Sequence, residues 1–218
     1  KPSEKKLAWH EYRKIFLTRS RIEGGVAFWR KNADILAKAE KEFGVDAGMI
    51  VAIIGVETRY GANTGKHRVI DALSTLAFDY PPRSKFFRGE LEQFLLLARD
   101  ESIDLLATRG SYAGAMGYGQ FIPSSYRHYA VDFSGDGKRD LWNSPMDIIG
   151  SVANYFRKHG WQTGAPVTTR ASVSGKGYKA VLEQGYKPHS PLRTLRDAVI
   201  TPAAPLPEDT RTSLFMLE

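Results

Sequence analysis

The stretch Ala47-Gly-Met-Ile-Val-Ala-Ile-Ile-Gly-Val-Glu-Thr-Arg-Tyr-Gly61 decides the fold of this 218-residue chain. Asp46, in front of it, is a residue type that caps helix N-termini, and apolar side chains continue as far as Val56. A helix that is apolar on all sides is buried in a protein core. The pattern therefore predicts a central, buried helix over residues 47–60.

Further helices are predicted on both sides of this segment, because apolar residues recur at helical spacing between charged ones. They span residues 5–17, 25–43, 69–79, 83–104, 123–130 and 145–159. After Gly164, proline, threonine, serine and glycine become more frequent, and short β-prone runs cover 167–173, 195–200 and 213–217. We expect a mainly α protein, with a helical region over 1–164 and a small β-rich appendage over 165–218.

The composition excludes several classes of protein. The chain has no cysteine, which rules out thiol catalysis, zinc–thiolate sites and disulfides. No apolar run approaches the ~20 residues of a membrane span, and the first residues do not resemble a signal peptide. The net charge is +7, of which +5 lies in residues 1–44, and a basic surface favours anionic partners. Lysine and arginine are spread over helices without a nucleic-acid reading motif, so we expect no nucleic-acid partner.

Glu57 is the one acidic residue within residues 47–61. A carboxyl group at the edge of a core loses solvation, which raises its pKa toward neutrality, as a general acid requires. The alternative is a structural carboxylate that pairs with Arg59 or Arg68.

A second carboxylate lies about 5–9.5 Å from the acid in ordinary glycosidases. The candidates Asp71, Asp79 and Glu90 all lie in predicted helices where a structural role is expected. Their positions argue against a two-carboxylate hydrolase. They favour a substrate-assisted reaction, in which the sugar itself supplies the nucleophile.

Five blocks of the sequence resemble the lytic transglycosylase B family in order and spacing. They are residues 55–61 (GVETRYG), 71–81 (DALSTLAFDYP), 110–126 (GSYAGAMGYGQFIPSSY), 132–137 (DFSGDG) and 150–156 (GSVANYF). The resemblance covers residues 9–161 almost continuously. It implies a lysozyme-like helical core with a helical flanking domain, an EF-hand-like loop over 132–147 and a small β domain.

The resemblance also implies cleavage of the β-1,4 bond between N-acetylmuramic acid and N-acetylglucosamine in peptidoglycan, with a 1,6-anhydromuramoyl product. Glu57 matches the family's single catalytic glutamate, and this chemistry requires no cofactor. The implied partners are peptidoglycan strands and other cell-wall enzymes. The implied location is the periplasm of a Gram-negative bacterium, in soluble form or anchored to the outer membrane by a lipid. A lysozyme-like hydrolase and a non-catalytic glycan-binding module are the alternatives.

Other residues match substrate-binding positions of the family. Ser111 and Gln120 match hydrogen-bonding positions near the acid, and Arg83 matches an arginine that contacts carboxylates of the lactyl group or stem peptide. The aromatic groove positions are matched by Tyr12, Phe121 and Tyr155. Core packing is the alternative for each of these rings. Pro82 stands where the family often has a second arginine, which implies a weaker hold on carboxylates.

Residues 132–137 form the first half of an EF-hand loop, with glycine at the required sixth position. Asn143 occupies the twelfth position, where a glutamate is usual. The resemblance implies a variant loop that closes with a later aspartate. A structural Ca²⁺ is then expected on Asp132, Ser134, Asp136, the Lys138 carbonyl and Asp147. The alternative is a turn that binds no metal.

The family carries a Tyr-Asn motif on a late helix after the β domain, where it completes the groove wall. The sequence ends at Glu218 without such a motif. We therefore expect the family's final core segment to be absent from 1–218, and full activity to depend on that segment.

Overall fold

Helices occupy most of residues 16–164, the larger of two units into which the chain divides. The structure is a computed structural model that describes residues 7–216. Within that range, the second unit comprises residues 7–15 together with 165–216. The chain therefore divides after residue 164, and residues 7–15 group with the later part. No helix within 7–216 is long and apolar enough to cross a membrane.

The first part of the chain is mainly helical, as its periodicity predicts. Its helices are α1 (Trp9–Phe16), α2 (Arg19–Lys31), α3 (Ala33–Phe43), α4 (Ala47–Thr58), α5 (Val69–Phe78), α6 (Ser84–Glu101), α7 (Pro123–Tyr129) and α8 (Pro145–Lys158). Strand β1 (His67–Arg68) pairs antiparallel with β2 (Arg109–Gly110). The predicted single helix over 25–43 is wrong, because the helical segment is interrupted at Asn32, between α2 and α3. The Asn32 N–H caps α2 by donating to the carbonyls of Phe28 and Trp29. The mainly α fold is confirmed.

Helix α4 lies in the core of the larger unit, but only on one side. Asp46 caps its N-terminus by accepting a hydrogen bond from the Met49 N–H at 3.2 Å. Ile50 and Ile54 are fully buried, whereas Val56 is 47% exposed. The prediction of a helix buried on every side is therefore wrong near its C-terminal end, since an apolar composition cannot identify a face that stays open.

A glycine-lined contact fixes the C-terminal half of α4 against α2. The Tyr60 side chain lies so close to Gly24, Gly25 and Gly55 that a Cβ at Gly55 would come within 2.5 Å of its hydroxyl oxygen. That hydroxyl donates to the Arg21 carbonyl at 3.1 Å, and the Arg21 guanidinium donates to the Gly55 carbonyl at 2.9 Å. The glycines are therefore required for close approach of these two helices.

The second unit has a small core and short elements. After residue 164 these are β3 (Ala171–Val173), α9 (Tyr178–Leu182), β4 (Ser190–Pro191), α10 (Leu192–Asp197), β5 (Ile200–Pro202) and β6 (Arg211–Thr212). Strand β3 pairs antiparallel with β5, and β4 with β6. Its buried apolar residues are Val181, Leu192, Leu195 and Ile200.

Two strand predictions in this unit are wrong. Residues 195–197 belong to α10, because Leu192 and Leu195 lie three residues apart and both turn into the core, as on one face of a helix. Residues 213–216 form no strand, and residue 217 lies outside the described range. Only Ala171–Val173 of the predicted run 167–173 is a strand.

Candidate active site

Glu57 lies in the last turn of α4 and reaches solvent. Within residues 7–216 its carboxyl group has no hydrogen-bond or ion-pair partner. The alternative ion pair is not formed, because Arg68 pairs with Asp71 at 2.6 Å and Arg59 makes no salt bridge with Glu57. Partial burial raises the pKa of Glu57, although the residue remains exposed overall. This is the direction of pKa shift that a general acid requires.

The buried Thr58 hydroxyl anchors the helix end that carries Glu57. The hydroxyl donates to the Tyr118 carbonyl at 2.9 Å, and the Ile54 carbonyl lies at 3.2 Å as a second acceptor. The hydroxyl oxygen also accepts a hydrogen bond from the Gly61 N–H at 3.1 Å. Thr58 is 0% exposed. This one side chain thus ties α4 to the glycine-rich loop over residues 110–121. Sequence analysis missed it, because a threonine at a helix end has no distinctive pattern.

Ser111 opens the glycine-rich loop. Its Oγ accepts hydrogen bonds from the N–H groups of Ala113 at 3.2 Å and Ala115 at 3.0 Å. The hydroxyl proton donates to no group within the described residues. Ser111 therefore offers an oriented donor, as expected for a residue that binds a sugar.

Gln120 ends the loop in the left-handed region, with φ of 50°. Its Nε2 donates to the carbonyls of Thr64 at 3.1 Å and Gly117 at 3.0 Å. Both amide hydrogens are therefore used, while Oε1 has no partner within residues 7–216. The side chain presents a fixed acceptor, which matches the N–H of an acetamido group.

The predicted aromatic groove residues lie in different environments. Tyr155 is 38% exposed, and its ring stacks on His159 with centroids 4.0 Å apart. Phe121 is only 6% exposed and packs edge-on against Tyr155 at 5.7 Å, so its ring has a core position in place of a face open to sugar. Tyr12 lies on α1 in the other unit, with its ring 6.2 Å from that of Trp9.

Arg83 ends a 3₁₀ turn over Pro81–Arg83 and is exposed. Its guanidinium lies over the rings of Phe86 at 4.4 Å and Phe87 at 5.1 Å. It pairs with no carboxylate within the described part of the chain. The charge is therefore available for an anionic group.

Two of the other three candidate carboxylates make structural contacts. Glu90 is 5% exposed, and its oxygens accept from the N–H of Ser124 at 2.9 Å and from its hydroxyl at 2.7 Å, which caps the start of α7. Asp71 pairs with Arg68, and Asp79 is the residue that ends α5. Glu90 and Asp71 are therefore held by structural contacts.

The EF-hand-like loop gathers oxygen donors. One carboxylate oxygen from each of Asp132, Asp136 and Asp147 lies within 4.8 Å of the others. Hydrogen bonds to Asp132, first from the Gly137 N–H, lower its pKa, so it is charged and ready to bind a cation. Asp147 is fully buried and accepts from the N–H groups of Phe133 and Ser134, both at 2.9 Å. Convergent carboxylates without an ion-pair partner in the described residues fit Ca²⁺.

Asp140 is a loop carboxylate that sequence analysis missed. It occupies the ninth position counted from Asp132, where EF-hand loops often contribute a ligand, so counting could have found it. Burial raises the pKa of Asp140, but hydrogen bonds from Trp142 and Asn143 outweigh burial and lower it. Asp140 is therefore ionised in the loop.

Similarity to known proteins identifies the class to which this fold belongs. The chain belongs to the transglycosylase SLT domain family, whose sequence profile matches residues 1–218. It is 50% identical over 217 residues to the membrane-bound lytic murein transglycosylase B of Escherichia coli (strain K12). That similarity covers 100% of this chain and 59% of the relative, so the chain spans less than two thirds of the relative's length. The expected family is confirmed.

Two crystal structures show the same fold. One is the E. coli lytic transglycosylase Slt35 in complex with calcium, with a TM-score of 0.86, 49% identity, and coverage of 96% of this chain and 65% of that one. The other is SltB3 from Pseudomonas aeruginosa in complex with NAG-anhNAM-pentapeptide, with a TM-score of 0.84, 32% identity, and coverage of 99% and 59%. The lysozyme-like character of the fold is thereby confirmed.

Proposed function

We propose that this chain carries the catalytic centre of a peptidoglycan lytic transglycosylase. The reaction cleaves the β-1,4 bond between N-acetylmuramic acid and N-acetylglucosamine and closes a 1,6-anhydro ring on the muramoyl residue. Family membership and the name of the E. coli relative support murein as the substrate class. The NAG-anhNAM-pentapeptide bound by the P. aeruginosa protein supports the anhydro product.

Glu57 acts first as an acid and then as a base. Its carboxyl proton moves to the glycosidic oxygen as the bond to C1 breaks, and the 2-acetamido oxygen bonds to C1 as an oxazolinium-like species. The Glu57 carboxylate then removes the proton from the C6 hydroxyl, and O6 displaces the acetamido oxygen at C1. Atoms balance without water, so the reaction is a lyase reaction and Glu57 ends protonated.

The observation that carries this proposal is the state of the Glu57 carboxyl group. It has a raised pKa and no partner within residues 7–216, while Glu90 and Asp71 are bound by Ser124 and Arg68. A carboxyl without a partner suits a reaction in which one group serves as acid and base. Of the candidates for a second catalytic carboxylate, Glu90 and Asp71 are occupied by these contacts, which disfavours them in a two-carboxylate hydrolase.

The remaining site residues bind and orient the glycan. Ser111 donates to the sugar, and Gln120 accepts from the acetamido N–H, which holds the acetamido oxygen toward C1. Tyr155 supplies aromatic surface for a sugar face, and Phe121 supports Tyr155 from the core. Arg83 binds a lactyl or peptide carboxylate.

Ca²⁺ has a structural role in this proposal. Asp132, Ser134, Asp136, the Lys138 carbonyl and Asp147 hold it, as the calcium complex of Slt35 supports. When bound, the ion cross-links the loop by electrostatic attraction and takes no part in the chemistry.

The proposed partners are peptidoglycan strands and, beyond them, other cell-wall enzymes. The proposed location is the periplasm, since the E. coli relative is described as membrane-bound and acts on murein. Soluble and lipid-anchored forms are both compatible with this location.

Glu57→Gln tests the assignment, because the amide keeps the shape of the side chain and cannot donate the proton. We expect loss of cleavage of purified sacculi by about a thousandfold or more, with binding retained and with no fall in melting temperature. Glu92→Gln is the matched control, since Glu92 is an exposed carboxylate on α6 with no partner in the described residues. Residual turnover of Glu57→Gln within tenfold of wild type would refute the catalytic role.

A further inference from the structure

A cavity of about 520 Å³ lies within the larger unit, apart from Glu57. Its volume falls in the range of sites that bind small molecules. One wall comes from residues 101–109, at the end of α6 and after it, and another from residues 138–143 in the second half of the EF-hand-like loop. Its lining includes Thr64, Glu101, Arg109, Lys138, Arg139, Asp140 and Trp142.

Three cations and two carboxylates line this cavity, and they are not equally available. The Glu101 carboxylate binds the Arg139 guanidinium and the Arg139 N–H, so these two charges neutralise each other. The oxygens of Asp140 accept from groups of its own loop, Trp142 and Asn143. Lys138 and Arg109 form no salt bridge within the described residues.

The two available cations are held in different ways. Arg109 donates through Nη1 to the Lys66 carbonyl at 3.0 Å, which fixes the guanidinium and leaves its other N–H groups free. Lys138 lowers the pKa of Asp140 from a distance without contacting it, and its ammonium is exposed. A guanidinium that is fixed on one side is well suited to bind a carboxylate through its remaining donors.

Trp142 gives the cavity an apolar wall. Its indole is partly exposed and packs against the Tyr126 ring with centroids 5.9 Å apart. The indole N–H has no partner within residues 7–216. Aromatic surface beside hydroxyl, amide and guanidinium groups is the lining expected for an acylated sugar or a short peptide.

The cavity is connected to the catalytic region by backbone. The Thr64 carbonyl accepts from the Gln120 side chain, and Arg109 is two residues before Ser111. A ligand in the cavity therefore contacts the segments that position both substrate-binding side chains.

We infer that this cavity is an accessory site for a carboxylate-bearing muramyl peptide, with Arg109 and Lys138 holding the carboxylate and Trp142 contacting the apolar part. The choice of a muramyl peptide rests on the proposed function, since that substrate carries both acylated sugars and peptide carboxylates. The carboxylate could come from the peptide alone or from the complete muramyl peptide, and both share the same chemistry at the two cations.

The test uses the four tryptophans as reporters. Each gives one indole N–H signal in a ¹H–¹⁵N spectrum, and Trp142→Phe assigns the relevant one. N-acetylmuramyl dipeptide contains no glycosidic bond to cleave, so binding is measured without turnover. We expect a saturable shift of the Trp142 signal, and a Kd about tenfold or more weaker in the double variant Arg109→Gln/Lys138→Gln.

The control variant is Arg30→Gln/Lys41→Gln, which removes two exposed charges on α2 and α3 and should leave the Kd unchanged. Two further arms use the free dipeptide and N-acetylglucosamine. Equal binding of the free dipeptide supports the inference and identifies the peptide as the carboxylate source. Equal binding of N-acetylglucosamine, an unchanged Kd in the double variant, or no Trp142 shift at millimolar ligand overturns it. Loss of sacculus cleavage is a separate readout, so failure of the proposed function would be recognised independently.

Discussion

Replacing Thr58 with valine tests whether the helix end that carries Glu57 is held by a single hydroxyl. Valine keeps the shape of the side chain but can neither donate to the Tyr118 carbonyl nor accept from the Gly61 N–H. The site is 0% exposed, so water cannot replace the lost partners without rearrangement.

The magnitude follows from the two groups left without a partner. A buried polar group without a hydrogen bond costs about 1–3 kcal/mol, and these bonds are only partly buried, so we expect about 2 kcal/mol in the free energy of unfolding. For a chain of this size that corresponds to a fall of about 4–8 °C in melting temperature. Because the helix end that carries Glu57 is then held less rigidly, the carboxyl group is less well oriented toward the substrate, and kcat should also fall by about tenfold.

Calorimetry and sacculus digestion measure the two effects. Thr75→Val is the control, since Thr75 is exposed on α5 and its hydroxyl has no partner in the described residues. A melting temperature of Thr58→Val within about 1 °C of wild type, with unchanged kcat, would show that the hydroxyl does not anchor the site.

Four further predictions follow from individual groups. Turnover should decrease as pH rises through the raised pKa of Glu57, since the carboxylate cannot protonate the leaving oxygen; a flat pH profile of kcat would contradict this. Because the pKa of Glu57 is raised in the folded state, protonation of Glu57 favours folding; this contribution to the free energy of unfolding is present at low pH and is lost as the pH rises through the folded-state pKa. Glu57→Gln should therefore raise the melting temperature at pH 7 and leave it unchanged at pH 4. Calcium should raise the melting temperature of the metal-free protein and Asp132→Ala should remove that increment, whereas identical curves with calcium and chelator would argue for a metal-free turn. Gln120→Ala should lower kcat more than it raises KM, and a change confined to KM would reduce Gln120 to a recognition role.

Much of the helical unit could be predicted because its signals are local. The Asp46 cap and the apolar run gave the bounds of α4 to within two residues. The break at Asn32 was missed, since asparagine within a helix lowers stability only slightly and its capping N–H bonds are made by the backbone. The α10 helix was mistaken for a strand, because periodicity does not separate helix from strand in short apolar runs.

The site could be predicted only where a single residue carries the signal. Glu57 stands out as an acid in an apolar segment, and its raised pKa agrees with that pattern. The anchoring role of Thr58 depends on Tyr118, which lies 60 residues away, and no local pattern encodes such a contact. The buried position of Phe121 likewise depends on Tyr155, which lies 34 residues away on α8.

The most direct test of the central claim is the mass of the products released from purified sacculi by the protein, alone and together with any segment that follows it in the complete chain. One-carboxyl chemistry through Glu57 predicts muropeptides that end in 1,6-anhydromuramic acid, with no water added across the cleaved bond. Products one water heavier, with reducing ends as the dominant species, would contradict the account and establish a lysozyme-like hydrolase in its place.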